Sequence, residues 1–310
     1  AADLLAKDPA VEWAVLADAG WTGLEVAEDL GGAGATFREV AIVCEEMGRA
    51  ASASSYLGSA VLAVGVLNAL QPSDVRNQLL GDVASGALRV AVAIGPLDFV
   101  PDAVGADRLL VVTTDADGVP VVVDAAGLTA TPQPVLDETR RLAAVSTASL
   151  DTTDALRFEG DPDTQVRRLL DRAAVAVACD SLGLSEAMLS ATVSYAKVRH
   201  QFDRPIGSFQ AVKHASADML VRISVSHQLV GAAVDAIAEG RPDAGVAAAM
   251  AKSYATAAAV DVVGKAMQLH GGIGYTWESG IHTYLKRAAL NRSLFGSPAA
   301  HRTELAKRYL

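Results

Sequence analysis

The strongest constraint on the fold is the helical periodicity that sets in near residue 163. In LLDRAAVAVACDSLGLSEAMLSATVSYAKVR, Leu182, Leu189 and Ala196 repeat every seven residues beside Leu184, Met188 and Tyr195. A second pattern sets Val212, Met219, Ile223, Val230, Val234 and Ile237 on one apolar stripe, and a third runs from about Asp243 to His270. Long helices that each carry one such stripe bury it against one another, so the region predicts an antiparallel bundle. Gly271-Gly272 closes the third helix, where glycine reaches the left-handed conformation. Shorter helices are expected after Ser279 and after Ser297, the last with Ser297 as N-cap and Pro298 as its first residue.

Upstream, residues 1–87 also read as helical. REVAIVCEEMGRA spaces Val40, Val43, Cys44 and Met47 at three and four residues, and SYLGSAVLAVGVLNAL continues as an almost wholly apolar helix, with the glycine-rich connector AEDLGGAGAT before them. Between about 88 and 162 the pattern changes to short β-branched runs, RVAVAI, RLLVVT and PVVVD, with TDADG as a hairpin turn between the last two. Residues 95–106 join the first strand to the second by too short a path for a compact barrel, so the sheet is reduced or part of the native chain is absent. The expected class is therefore α+β, mainly helical, in three parts: 1–87, 88–162 and 163–310.

Composition narrows the function. The 310 residues are 51% hydrophobic and carry a formal charge of −10, with no basic block beyond Lys197 to Arg204. That argues against nucleic acid, whose phosphates need clustered cations over a wide surface. No apolar run reaches the roughly 20 uninterrupted residues of a membrane span, so neither a span nor a signal peptide is expected; the expected location is the cytoplasm. Cys44 and Cys179 lie in apolar helices and are expected as buried free thiols. The histidines have no ligand spacing, so no protein-built metal site is expected.

Two clusters carry chemistry. YAKVRHQFDRPIGSFQ ends a long helix in cations: Arg199 offers a planar fork of donors for a phosphate, and Phe202 an apolar face for a flat ring. By composition alone it is equally a charged C-terminus answering the helix dipole. QLHGGIGYTWESG lets a ligand approach backbone closely, but it lacks the preceding strand of a dinucleotide fingerprint. His270-Gly271-Gly272 also suggests the oxyanion loop of an ester hydrolase. No G-x-S-x-G elbow accompanies it, since Gly183-Leu184-Ser185 lies inside a helix.

Taken in order, AEDLGG, EEMGRA, RHQFDRPIGSFQ and QLHGGIGYTWE over an α, β, α organisation resemble the acyl-CoA dehydrogenase family from end to end. The resemblance implies an N-terminal helical domain, a middle β domain and a C-terminal four-helix bundle enclosing FAD, with two subunits sharing each flavin site. It is close to the members found as pairs of unlike subunits in actinobacterial steroid and lipid catabolism. It further implies that Arg199, Gln201 and Phe202 contact the pyrophosphate and adenine side of the flavin held mainly by a neighbouring subunit, with Gln268, Gly271, Gly272 and Ser297 also on the cofactor. Asp203 stands where the family usually has glycine.

The family removes an α proton of an acyl-CoA thioester with a glutamate while a β hydride moves to flavin. In many members that glutamate lies in a turn before the last helix, and the matching residue in NRSLFGSPAAHR is Phe295. In others it lies near the start of the first bundle helix, where counting back through Gly183 reaches Ala173. Neither is a carboxylate, and Glu278 is the remaining candidate for a displaced base. The flavin-ring segment of the middle domain also looks shortened, to GPLDFVPDAVGAD.

The resemblance thus implies a subunit of a FAD-dependent acyl-CoA dehydrogenase, an oxidoreductase acting on a CH-CH bond of an acyl-CoA, steroid or otherwise bulky. Its expected partners are a second acyl-CoA dehydrogenase subunit in an α2β2 assembly and an electron-transfer flavoprotein as acceptor. The alternatives are a self-sufficient homodimer with a displaced base, and a flavin-free structural or regulatory protein of the same fold.

Overall fold

The computed structural model describes residues 2–5, 10–125, 129–146 and 150–307. Helices Ala2–Leu5 (α1), Trp13–Asp18 (α2), Phe37–Arg49 (α3), Val64–Asn68 (α4) and Asp74–Ala84 (α5) come first. Strands Val90–Ala93 (β1), Val100–Pro101 (β2), Arg108–Thr114 (β3), Pro120–Asp124 (β4), Ala130–Gln133 (β5), Leu142–Val145 (β6) and Leu156–Arg157 (β7) follow. Then come Pro162–Val198 (α6), the hairpin His200–Gln201 (β8) and Arg204–Pro205 (β9), Gln210–Ala238 (α7), Ala244–His270 (α8), Ile281–Ser293 (α9) and Pro298–Ala306 (α10). The fold is α+β and mainly helical, as the patterning predicts. Its residues gather into two compact units, one holding Ala10–Val40 with Ala53–Ala173, the other Ala41–Ser52 with the chain from Ala174 onward.

The first unit holds both larger sheets. β3 and β4 are antiparallel, Leu110 opposite Asp124 through Thr114 opposite Pro120, and the turn at TDADG is tied by Asp115 Oδ1 accepting from the amides of Asp117 and Val119. β1 runs parallel to β3, which requires a crossover of about a dozen residues. The segment around 95–106 supplies it, and on the way gives β2 to a second sheet of order β2-β6-β5. Its poor fit as a link between neighbouring antiparallel strands has this cause: it is a crossover that serves two sheets. Small residues, Ala91, Ala93 and Ala143, pack there with Val100 and Val111.

The apolar run predicted as one helix is fully buried, but Leu57–Ala63 winds as a π-helix before α4. Arg172 is laid along it, donating from Nε to the Val61 carbonyl at 2.9 Å. Its guanidinium is clasped by Glu25 and lies over the Phe37 ring, 4.5 Å from the centroid. A buried charge held by a carboxylate, a carbonyl and a ring face is fully compensated.

The second unit is built around close helix crossings. A Cβ on Gly48 of α3 would overlap the Asp180 carbonyl of α6, and one on Gly183 would overlap the Glu45 carbonyl. EEMGRA is therefore a crossing motif: glycine lets two backbones touch, while Arg49 binds Glu45, Glu46 and Glu186 around the contact. Asp180 also accepts from Arg287 and Asn291 of α9, and Arg287 donates on to the Ser52 carbonyl at 2.5 Å. α8 packs along α7 and against α9 and α10. Cys44 and Cys179 are buried thiols, neither in a disulfide among the described residues.

On α7 the expected stripe is the inner face: Met219, Ile223 and Val230 are buried and Val212, Val234 and Ile237 half-buried. The outer face is also apolar, with Leu220, Val221 and Val225 exposed. One expectation needs correction. Judged by length and mean hydropathy, rather than by uninterrupted apolar runs, α6, α7 and the stretch Ala244–Tyr275 are long and apolar enough to cross a membrane. In α6 78% of the most apolar stretch is buried inside the protein, against 28% in α7.

Candidate functional site

The motif RHQFDRP folds as a two-stranded hairpin at the end of α6. β8 and β9 pair His200 with Pro205 and Gln201 with Arg204, leaving Phe202 and Asp203 as the turn, at φ 54° and 62°. Positive φ at both central residues is the demand of a type I′ turn, which glycine and, less easily, aspartate satisfy. This is the physical reason glycine suits position 203, and Asp203 meets the same demand. Phe202 is 86% exposed, its ring in an edge arrangement with Phe209 at 6.1 Å, while the Arg204 guanidinium lies over the Phe209 ring, 4.1 Å from its centroid. Arg199 and Gln201 are exposed. Among the described residues the Arg199 guanidinium makes no hydrogen bond or ion pair.

α8 ends beside this hairpin. Tyr195, one turn before Arg199, stacks on His270 with centroids 4.5 Å apart, so the two predicted clusters come together at one end of the bundle. Gln268 is exposed and accepts from Lys265 Nζ at 2.9 Å. Gly271 closes the helix at φ 64°, ψ −142°. This is the mirror-extended region, not the left-handed helical one expected from the sequence, and it is open to glycine at little cost. A Cβ added at Gly271 or Gly272 would meet nothing within 4 Å. Bare backbone therefore faces open space at the same end of the bundle as an unpaired guanidinium, donors of the kind suited to a phosphate-bearing ligand.

The turn NRSLFGSPAAHR is built with more care than its bland sequence implies. Ser297 caps α10, its Oγ accepting from the Ala300 amide at 3.2 Å, with Pro298 at the first helical position. Phe295 and Gly296 take φ 54° and 96°. Lys252, wholly buried in α8, donates to the carbonyls of Gly296 at 2.7 Å and Asn291 at 3.0 Å. From the other side His301 Nε2 bonds the Phe295 carbonyl at 2.9 Å. Because a carbonyl only accepts, Nε2 carries the proton; burial holds the imidazole below its usual range and so neutral. Burial likewise pushes the Lys252 ammonium down to about 7.

The remaining candidate positions for a base are Ala173 and Glu278. Ala173 is fully buried in α6. Glu278 is exposed in a short 3-10 turn, and hydrogen bonds from its own amide and from Thr276 hold its carboxyl below the usual range, the wrong direction for a group that must take a weakly acidic proton. Lys252, His301 and the Asp180–Arg287–Asn291 cluster were not singled out by sequence reasoning. The available signal for Lys252 is a lone cation inside the apolar run AAAMAKSYATAAAV.

Comparison with known proteins adds a separate line of findings. Residues 2–87 match the family described as acyl-CoA dehydrogenase, N-terminal domain, and residues 164–310 match acyl-CoA dehydrogenase, C-terminal domain. Acyl-CoA dehydrogenase IpdE2 of Mycolicibacterium smegmatis is 35% identical over 95% of this chain and 86% of its own. Among solved structures, a variant of the Tcur3481-Tcur3483 steroid ACAD is 29% identical, with TM-score 0.84 over 95% of this chain and 87% of that one. The ChsE4-ChsE5 complex from Mycobacterium tuberculosis is 25% identical, with TM-score 0.84 over 96% and 87%.

Proposed function

The chain belongs to the acyl-CoA dehydrogenase family, and from that premise we propose that it is a subunit that completes the FAD site of a catalytic partner and supplies no base of its own. The observation that carries this reading is the pairing of an open flavin-side surface, Arg199 beside Gly271-Gly272, with a fully strapped catalytic turn that presents Phe295. The two heteromeric relatives, one of them a steroid enzyme, support it. So does the exposed apolar face of α7, because a contiguous apolar patch favours burial against another subunit.

The residues present fit a flavin dinucleotide: a free guanidinium fork for its pyrophosphate, backbone that a Cβ would not obstruct, and the exposed ring of Phe202. Bound FAD supplies the hydride acceptor for α,β-dehydrogenation of an acyl-CoA. This chain's contribution is positional. Arg199 would balance the pyrophosphate charge and the glycines would admit the adenosine side, while the Tyr195–His270 stack ties the end of α6 to the end of α8. Removal of the α proton would fall to a carboxylate of the partner, and the expected electron acceptor is an electron-transfer flavoprotein.

The self-sufficient homodimer needs a base here. Among the described residues burial raises Glu45, which Arg49 pairs, and pushes Asp171 up to about 6, and Asp171 lies two residues before Ala173. Two residues turn a helix by about 200°, so Asp171 faces away from the side Ala173 occupies. It does not replace a base at that position.

Co-expression with a homologous gene product encoded beside this chain tests the proposal. Flavin absorbance and dye-linked dehydrogenation are expected only when both chains are present. Stoichiometric FAD and turnover with this chain alone would sink it, and an assembly without FAD would favour the flavin-free reading.

A further inference from the structure

The two segments of the flavin-side surface are each weakly fixed by their own local structure. β8 and β9 pair over two residues apiece, too short a hairpin to be stable alone, and its turn residues Phe202 and Asp203 both hold positive φ. Beyond α8, Gly271 and Gly272 follow one another, and glycine restrains the backbone least of all residues. A ligand met by both segments at once binds well only if they are held in place beforehand, because the cost of ordering loose groups is subtracted from affinity.

The Tyr195–His270 stack stands where such a support is needed, its ring centroids 4.5 Å apart and its planes inclined by 22°. Tyr195 lies one turn before Arg199, whose amide donates to the Tyr195 carbonyl at 2.9 Å. The Arg199 carbonyl in turn accepts from the Ile206 amide at 2.7 Å, which closes the base of the hairpin. On the other side, His270 is the residue immediately before Gly271. Its Nδ1 bonds the Ala266 carbonyl at 2.8 Å; a carbonyl only accepts, so Nδ1 carries a proton and α8 itself sets the ring plane. After the glycines the chain folds back, and a Cβ on Gly274 would overlap the Met267 carbonyl and press on His270 Cβ. Each ring is thus tied to its own segment through the main chain, and the two rings are packed on each other.

We propose that Tyr195 and His270 are positioning residues: their stack holds the Arg199 fork and the Gly271-Gly272 backbone at a fixed separation, so that two segments act as one binding site. For its ligand, the pyrophosphate and adenosine of FAD, the proposal rests on the flavin-side reading. The coupling itself belongs equally to the flavin-free protein.

Hydrogen exchange on the purified assembly, stripped of any flavin, reads that coupling. Tyr195→Leu is expected to speed exchange in residues 199–204 and 271–276 together, whereas Tyr195→Phe, which keeps the ring, leaves both slow. His270→Leu removes the stack from the other helix and is expected to act as Tyr195→Leu does. Both residues are half-buried at the end of the bundle, so the variants are expected to fold, with unchanged far-UV circular dichroism. Titration of FAD into the stripped assembly, followed by flavin fluorescence, is expected to show binding weakened about three- to tenfold in Tyr195→Leu, the range of an aromatic pair, and little changed in Tyr195→Phe. Faster exchange in one segment alone, or in neither, overturns the proposal. So does a loss in Tyr195→Phe as large as in Tyr195→Leu, which would make the hydroxyl a ligand contact. Full FAD affinity in both Arg199→Gln and Gly272→Leu would sink the flavin-side reading instead, while the exchange rates still decide the coupling, so the two fail separately.

Discussion

Lys252 Nζ donates to the carbonyl oxygen of Gly296 at 2.7 Å, which makes the interior of one helix the support for a turn whose two central residues both hold positive φ. The same ammonium reaches Asn291, so it also closes the end of α9. A helix end leaves four carbonyls without partners, and here a buried cation takes the place of solvent. Lys252→Met keeps most of the apolar stem and removes the donors. Buried acceptors left unpaired cost roughly 1–3 kcal/mol each, so a loss of about 2–5 kcal/mol is expected in urea denaturation. An undiminished midpoint would show that the carbonyls find other donors.

The same lysine gives the assembly a pH dependence with a definite sign. Burial lowers its folded-state value from 10.5 to about 7, so between those limits the unfolded chain holds the proton more tightly. Stability is expected to rise with pH across that window. The contribution is fully present above about 10.5 and is lost as pH falls through 7. His301, also held low by burial, loses its share as pH falls through its folded value, below 6.5. Chemical denaturation at a series of pH values, with Lys252→Met alongside, checks this: the variant should flatten the slope between 7 and 10.5.

Asp180 and Arg287 form a nearly solvent-free ion pair, 2% and 1% exposed. Removing one partner strands the other charge, a loss of about 3–5 kcal/mol. Arg287→Met is expected to fall in that range, and the double variant Arg287→Met/Asp180→Leu to recover part of it, because two neutral groups need no mutual compensation. Thermal and urea unfolding of the three variants against wild type measures the coupling directly. Strict additivity would mean that the bonds to Ser52 and Asn291 dominate.

The helical stripes were legible because burial on one face imposes a 3.6-residue period, and the capped start of α10 because Ser-Pro is a local signal. The crossover at 95–106 was not legible as such. Its residues serve two sheets, and neither partner strand is near in sequence. EEMGRA and the region of Gly183 were readable as patterns but not as a helix crossing, since the overlap of Gly48 with Asp180 is a long-range steric fact. For the site, Arg199, Phe202 and the glycines stood out because exposed cations, aromatics and bare backbone announce a ligand. Lys252 escaped notice because its partners are main-chain carbonyls, which leave no trace in side-chain composition.

Gly48 and Gly183 should tolerate no side chain. Added methyl groups would sit within carbonyl oxygens of the facing helix, and moving two packed helices apart costs typically 1–3 kcal/mol or more. Gly48→Ala is expected to lower the unfolding midpoint, whereas Gly231→Ala on the outer face of α7, where a Cβ meets nothing, should change stability little or raise it. Comparing the two by thermal unfolding separates crossing geometry from helix propensity.

Gly272 offers the sharpest separation of fold from function. It has no positive φ, and a Cβ there meets open space, so Gly272→Ala should shift stability by no more than about 0.5 kcal/mol. If backbone at that position meets the adenosine side of a flavin, the added carbon intrudes on the ligand instead. Gly272→Leu, with a longer side chain at the same site, should lower the FAD content of the co-expressed assembly further. Arg199→Gln should do the same by removing the guanidinium fork. Flavin content per assembly from absorbance, paired with an unfolding curve for each variant, reads both quantities. Full flavin occupancy in Gly272→Leu and Arg199→Gln would place the cofactor elsewhere, while a drop in flavin with an unchanged unfolding midpoint is the outcome expected of residues that face a ligand and carry no part of the fold.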